Sequence, residues 1–158
     1  VERFLKKEKF MPESLLTDDI KTQVKDVFAQ LQQPVHVLFF GKKEDCDYCP
    51  DMEQLITEVA ELSDKITLAS HEIEADADLA RQYNVDKAPA LVLLAQEDDR
   101  LVDYGIRYAG IPSGHEFSSL IHDLLLVAGR DSGLKPETRQ LLQKLDKPVH
   151  LLVFVTPT

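Results

Sequence analysis

Cys46 and Cys49 are the only thiols in this 158-residue chain, and they stand three positions apart in Cys46-Asp47-Tyr48-Cys49. Two thiols at that spacing suit reversible disulfide chemistry. The motif lies between an apolar run and the start of a helical pattern. A thiolate at a helix start is stabilised by unpaired N–H groups and the positive dipole end. Cys46 is therefore expected to be the nucleophile toward a substrate disulfide, and Cys49 the resolving thiol that displaces the mixed disulfide, or the reverse when the protein acts as oxidant. Half of a zinc site and an inert buried pair are the alternatives. Zinc would need two further ligands. The histidines His36, His71, His115, His122 and His150 show no H-x(3–5)-H pair, and His36, His71 and His150 fall in predicted strands, where they read as satisfied sheet residues. Neither a metal nor a cofactor is expected.

The remaining composition narrows the class. Eighteen Lys+Arg face 28 Asp+Glu, a net charge of −10, which argues against nucleic acid or an anionic membrane as partner. Two cysteines are too few for a disulfide scaffold, and the length fits one domain with its own core. The longest apolar stretches, 88–95 and 120–128, fall well short of the ~18 residues of a membrane helix. Residues 1–10 lack the apolar region of a signal peptide. A soluble, cytoplasmic protein is expected.

The elements that must position the cysteines follow from periodicity. Ile20, Val24, Val27, Phe28 and Leu31 recur at helical spacing after Thr17-Asp18-Asp19, which suits an N-cap and the positive helix end. Val35 to Phe40 reads as a strand apolar on both faces, the pattern of a central strand in a covered sheet, and Gly41 closes it. Beyond the cysteines, Met52, Leu55, Ile56, Val59 and Leu62 mark a helix with Pro50 in its first turn. A strand over 66–74 completes a βαβ unit, which favours parallel pairing. A short helix over 76–83 ends at Asn84. Ala88-Pro89 leads into a buried strand over 90–95, and Val102, Tyr104, Ile106 and Tyr108 alternate with Asp103, Gly105 and Arg107 as a half-exposed hairpin partner. Ser113-Gly114-His115-Glu116 has capping-box spacing ahead of the helix of Phe117, Leu120, Ile121, Leu124 and Leu125.

After a polar break at 129–133, residues 136–145 read as helix and 148–155 as one more strand. Pro34-Val35-His36-Val37-Leu38-Phe39-Phe40 and Pro148-Val149-His150-Leu151-Leu152-Val153-Phe154 share five of seven residues. Val27, Phe28 and Leu31 match Leu141, Leu142 and Leu145 in the helices before them. An internal repeat is beginning. The counterpart of Cys46 would fall two residues past Thr158.

The order β-α-β-α-β-β-α, with Cys46-x-x-Cys49 at the first of these helices and Ala88-Pro89 before the third strand, resembles the thioredoxin/glutaredoxin superfamily. Within it, the paired units and Arg107-Tyr108-Ala109-Gly110-Ile111-Pro112-Ser113-Gly114-His115-Glu116-Phe117 resemble the glutaredoxin-like protein disulfide oxidoreductases, which contain two tandem thioredoxin folds. Phe154-Val155-Thr156-Pro157-Thr158 is similar to what precedes the second CxxC in that family. The resemblance implies an α/β, thioredoxin-like fold: a four-stranded mixed sheet flanked by helices, with an extra N-terminal helix and the first helix and strand of a second repeat. It divides the chain into a redox domain, 1–129, and a linker helix plus truncated second unit, 130–158.

The resemblance also implies roles. Cys46 is nucleophile, Cys49 resolving cysteine, Pro89 a cis-proline facing them, and Ala88 the residue whose backbone pairs with an extended substrate; Tyr48 joins them as a substrate contact. Phe39 and Phe40 leave no room for thioredoxin's buried aspartate, so Glu44 or Asp45 acting through water are the remaining acids. Asp45, Asp47 and Asp51 oppose thiolate formation, with Lys42 and Lys43 close enough to weaken them, and the expected site is more reducing than its relatives. The implied partners are protein disulfides or dithiols and a thioredoxin reductase-like reductant. Separately, a last strand without its own unit must dock on the first domain, pair with another chain or stay disordered, and a homodimer through it is expected. Two other readings share the fold. One is the N-terminal electron-shuttle domain of an alkyl hydroperoxide reductase-type flavoprotein, whose active pair lies in its second unit. The other is a non-catalytic binding module.

Overall fold

The computed structural model describes residues 14–154. Its elements are α1 (Asp18–Phe28), β1 (Val35–Gly41), α2 (Cys49–Ala60), β2 (Ile66–Glu72), α3 (Ala77–Gln82), β3 (Ala90–Glu97), β4 (Arg100–Ala109), α4 (His115–Gly129) and α5 (Pro136–Leu142). The strands form one mixed sheet in the order β2-β1-β3-β4. β1 pairs parallel with β2 and antiparallel with β3, which pairs antiparallel with β4. This is the expected thioredoxin-like architecture.

β1 lies second in the sheet and is covered on both sides, so its side chains divide by parity. Val35, Val37 and Phe39 join Leu91, Leu93 and Ala95 of β3 in a core with α1, α2 and α4. Leu38 and Phe40 join Ala90, Val92 and Leu94 in a second core with Ala80 and Tyr83 around α3. Helices α1, α2 and α4 each bring an apolar stripe to the first of these layers. Val24 and Phe28 are buried on α1, Met52, Leu55, Ile56 and Val59 on α2, and Leu120, Leu124 and Val127 on α4. Thr17 caps α1 as expected, its side chain accepting from the Ile20 N–H. At the far end of α4, Arg130 (φ 53°) turns the chain and donates to Pro34 O at 3.0 Å and Gln96 O at 2.7 Å. One guanidinium thereby ties the helix end to both central strands.

Four local expectations change. Glu116 and Ser113 form no capping box: α4 starts at His115 after Gly114 at φ 56°, with no side-chain cap. Gly114's backbone, not Ser113's hydroxyl, sets the entry. The alternation of β4 breaks at a bulge, because Leu93 pairs with Ile106 but Leu94 with Asp103. The two inserted residues include Gly105 at φ 84°, and Tyr104 is exposed. The C-terminal strand does not form. Residues 148–154 carry no strand assignment, and Leu151, Val153 and Phe154 are each over 80% exposed (83%, 85% and 87%). An extended segment without a neighbour has no ladder to complete. α5 is shorter than expected and buries nothing; a paired Arg139–Asp131 bridge holds it to the preceding turn. The reading of residues 1–10, the strand's last residue Val155 and the ending 156–158 lie outside the described residues.

Candidate active site: a dithiol pair at a strand-to-helix turn

β1 runs out at Gly41, and the chain must turn at once to start α2. A Cβ on Gly41 would sit 2.8 Å from the Phe39 ring and 3.9 Å from Cys49 Cβ. The collision is with the Phe39 ring, whereas the distance to Cys49 is ordinary van der Waals contact, so glycine here leaves room for the Phe39 side chain at the strand end. The loop then bends through Asp45 in the left-handed region, φ 54°. Tyr48 is the N-cap of α2, and Pro50 occupies its first turn, where a missing N–H costs no helical bond.

Cys46 and Cys49 form a disulfide with Cα atoms 5.5 Å apart. Their environments differ. Cys46 is half-buried in the loop, whereas Cys49 is buried at the first residue of α2. The Lys42 backbone N–H donates to Cys49 Sγ at 3.3 Å, and the Cys49 N–H donates to Cys46 O at 3.4 Å. Tyr48 is 65% exposed beside the pair. Among the described residues no charged side chain is buried, so no buried carboxylate stands behind Cys49.

The antiparallel register brings a second segment to the same end of the sheet. Phe40 pairs with Ala90, which sets the residues just before β3 beside the end of β1. There the Ala88–Pro89 bond is cis, with Pro89 buried. Pro89 O accepts from the Gly110 N–H at 3.0 Å. Ala88, Lys42 and Asp45 line one open groove of about 520 Å³. The structure therefore gathers the cysteine loop and the proline loop at one site.

One charge of the loop is paired. Lys42 Nζ bonds Glu74 at 2.9 Å, a hydrogen bond that pushes the Lys42 pKa up. The strand histidines have partners of their own within the sheet. His36 Nδ1 is 2.7 Å from Thr67 Oγ1, and burial, then the nearby His71, lowers its pKa. His71 Nδ1 is 3.2 Å from Asp76 Oδ2, and its ring lies on Phe40. Both are satisfied sheet residues, as read from the sequence; His150 is exposed and in no strand. The Lys42 N–H and the β2–α3 side of the groove, with Ile73 and Asp86, are site features that the sequence reading missed. A backbone donor carries no residue-type signal, and the groove joins segments far apart in sequence.

A disulfide pair thus stands at the strand-to-helix turn, at the end of the sheet where β3 begins after a cis-proline. The chain belongs to the thioredoxin family, whose model matches residues 17–111. Among curated proteins it is similar to an alkyl hydroperoxide reductase component of Pseudomonas aeruginosa, 29% identical over 84% of this chain and 22% of that protein. Its Escherichia coli counterpart is 30% identical over 83% of this chain and 22% of that protein. The chain thus spans about a quarter or less of the length of these relatives. Among solved structures, an alkylhydroperoxide reductase component of Enterococcus faecalis superposes with a TM-score of 0.73 at 28% identity, covering 84% of this chain and 62% of that one. A protein disulfide oxidoreductase from Aeropyrum pernix shares the fold, with a TM-score of 0.70 at 24% identity, covering 82% and 55%.

Proposed function

We propose that Cys46 is the attacking thiol and Cys49 the resolving thiol of a protein dithiol–disulfide exchange. The observation that carries this is the asymmetry of the pair: Cys46 is half-buried in the loop, and Cys49 is buried under the Lys42 N–H. In the reduced protein, Cys46 thiolate attacks one sulfur of a substrate disulfide, and the other sulfur leaves as a thiolate. Cys49 thiolate then attacks Cys46 Sγ, closing the internal disulfide and releasing the second substrate thiol. Two electrons pass to the substrate, and an external dithiol restores them. Ala88 offers its backbone to an extended substrate, with Pro89 shaping that wall and Tyr48 supplying an exposed aromatic contact. The test is dithiothreitol-dependent reduction of insulin, read as turbidity, with metal analysis on the same sample. Activity above the uncatalysed rate is expected; an inert protein holding zinc would make the fold a binding module instead.

Residues 1–129 form the redox unit in this reading, and 130–158 begin a second one. The shared Pro-Val-His segment and the apolar side chains that α5 and 148–154 leave uncovered support it. The same uncovered side chains fit self-association of two chains. A cytoplasmic setting, in redox homeostasis or electron transfer, suits a dithiol pair kept in turnover. A second reading is favoured by the alkyl hydroperoxide reductase relatives, which align over 83–91% of this chain. There the unit is an N-terminal electron shuttle, and its dithiol donor belongs to a reductase.

The acidic residues also fix the expected sense of the redox equilibrium. Lys42 is committed to Glu74, which leaves Asp45, Asp47 and Asp51 to disfavour the thiolate and hence the reduced form's ionisation. Equilibration with a glutathione or dithiothreitol buffer is expected to give a potential at or below about −270 mV, the thioredoxin value. A potential well above it would remove the acids from the account.

A further inference from the structure

The peptide group between Gly41 and Lys42 is bonded on both sides, at the point where β1 gives way to the cysteine loop. Its carbonyl, Gly41 O, accepts from the Ile73 N–H at 2.9 Å, and its N–H, that of Lys42, donates to Cys49 Sγ at 3.3 Å. Sulfur accepts weakly as a thiol and far more strongly as a thiolate. Ile73 N–H, peptide and sulfur form a chain whose bonds polarise one another. The Ile73 end of that chain is braced. Pairing of β1 with β2 runs as far as Gly41 and Glu72, and just beyond it Glu72 Oε2 accepts from the Glu74 and Ala75 N–H groups at 3.2 and 2.7 Å. Asp76 Oδ2 in turn accepts from the Glu72 N–H at 3.1 Å. Among the described residues no charged side chain is buried behind Cys49, so the dipole of this peptide is what answers the charge formed when Cys49 ionises.

We infer that the Lys42 N–H is a catalytic donor of the resolving step, holding Cys49 Sγ as the attacking thiolate. This rests on the disulfide-exchange reading above and adds a group to it. Cys49 S–H gives its proton to a solvent base, and the thiolate attacks Cys46 Sγ in the mixed disulfide. The bond between Cys46 and the substrate sulfur breaks, the Cys46–Cys49 bond forms, and the electron pair leaves on the substrate thiolate, which takes a proton from solvent. A donor bond to a charged sulfur favours ionisation by about ten- to a hundredfold. It lowers nucleophilicity with a slope of only about 0.4–0.5, so the net effect at neutral pH is faster attack. The lysine side chain has a separate task, since its ammonium is held by Glu74 at 2.9 Å.

Lys42→Pro removes this N–H, and Lys42→Ala keeps it. Both lose the same ammonium, so the two variants differ in the donor and not in charge. Lys42 lies just past β1 and its N–H goes to sulfur, so proline there costs no ladder bond. In a Cys46→Ser background, ultraviolet thiolate absorbance follows the ionisation of Cys49, and it is expected to appear at higher pH in Lys42→Pro than in Lys42→Ala. With both cysteines present, the mixed disulfide, trapped by acid quenching and counted by mass spectrometry, should decay about three- to tenfold more slowly in Lys42→Pro than in Lys42→Ala. A third measurement leaves the backbone intact and decides the matter if the proline variant does not fold. In Cys46→Ser, the NMR signal of the Lys42 amide proton should move downfield over the pH range in which the thiolate absorbance appears. An amide indifferent to that ionisation, or proline and alanine variants with the same profile and the same decay, overturns the donor role alone, provided the wild type reduces insulin. A wild type that shows the amide shift and leaves insulin oxidised overturns the exchange reading instead.

Discussion

Cys46→Ser is expected to lower the rate of insulin reduction by at least about a thousandfold, because a serine hydroxyl does not ionise near neutral pH and cannot replace a thiolate. Cys49→Ser should fail differently. It retains an attacking thiol, forms the mixed disulfide once, and then stalls, so about one equivalent of covalent adduct accumulates in the mass spectrum. Both variants should fold. The disulfide closes a loop with a sequence separation of only 3, and the chain-entropy value for so short a loop is about 2 kcal/mol. A domain of this size has roughly 5–15 kcal/mol to draw on, and unchanged circular dichroism would verify the fold. The order of roles is open to reversal by experiment. Lys42 N–H donates to Cys49 Sγ, so Cys49 also has a donor for a thiolate. If Cys46→Ser formed the adduct and Cys49→Ser did not, the two assignments would exchange.

Acidification is expected to loosen the other end of the cysteine helix. Glu58, on α2, accepts from Ser14 Oγ at 2.7 Å, from the Leu15 and Leu16 N–H groups at 3.0 Å each, and from Gln54 Nε2 at 2.9 Å. Burial raises its pKa, but these four donors outweigh it and hold the carboxyl at about 2. Its side chain is 13% exposed, so little solvent screening applies. A carboxylate whose folded pKa is depressed stabilises the fold above its unfolded pKa, near 4.5, and that stability disappears as the pH falls from there toward 2. The contribution at neutral pH is about 3 kcal/mol. Glu58→Gln should therefore reduce unfolding free energy by about 2–3 kcal/mol at pH 7 in urea titrations. The gap between variant and wild type should narrow steadily below pH 4.5. An equal gap at pH 7 and pH 3 would show that the anion's hydrogen bonds are not its source.

Glu58 also shows what one sequence conceals. Its donors at Ser14, Leu15 and Leu16 lie some forty residues away, and a glutamate on the polar face of an amphipathic helix looks like solvated surface. Patterns that depend on neighbours in sequence were legible instead. The unbroken apolar run of β1 announced a strand covered on both faces, and Phe39 and Phe40 do enter opposite cores. Cys46 and Cys49 were readable with their setting, because the strand before and the helix after have clear periods. The β4 bulge was not, since an alternation count cannot register two inserted residues. Nor was the fate of 148–154. Hydrophobicity states that a segment can pair; it does not supply the neighbouring strand.

That last segment changes how the molecule behaves outside dilute solution. Val149-His150-Leu151-Leu152-Val153-Phe154 has no acidic, lysine, arginine, proline or glycine residue to interrupt it, and most of its side chains face solvent. Strand-forming windows of six or seven residues with little charge are the seeds of intermolecular cross-β stacking. Pro148 and Lys147 are its gatekeepers on one side. Against a net charge of −10, which favours dispersion, these six residues are expected to be where self-association of the chain begins.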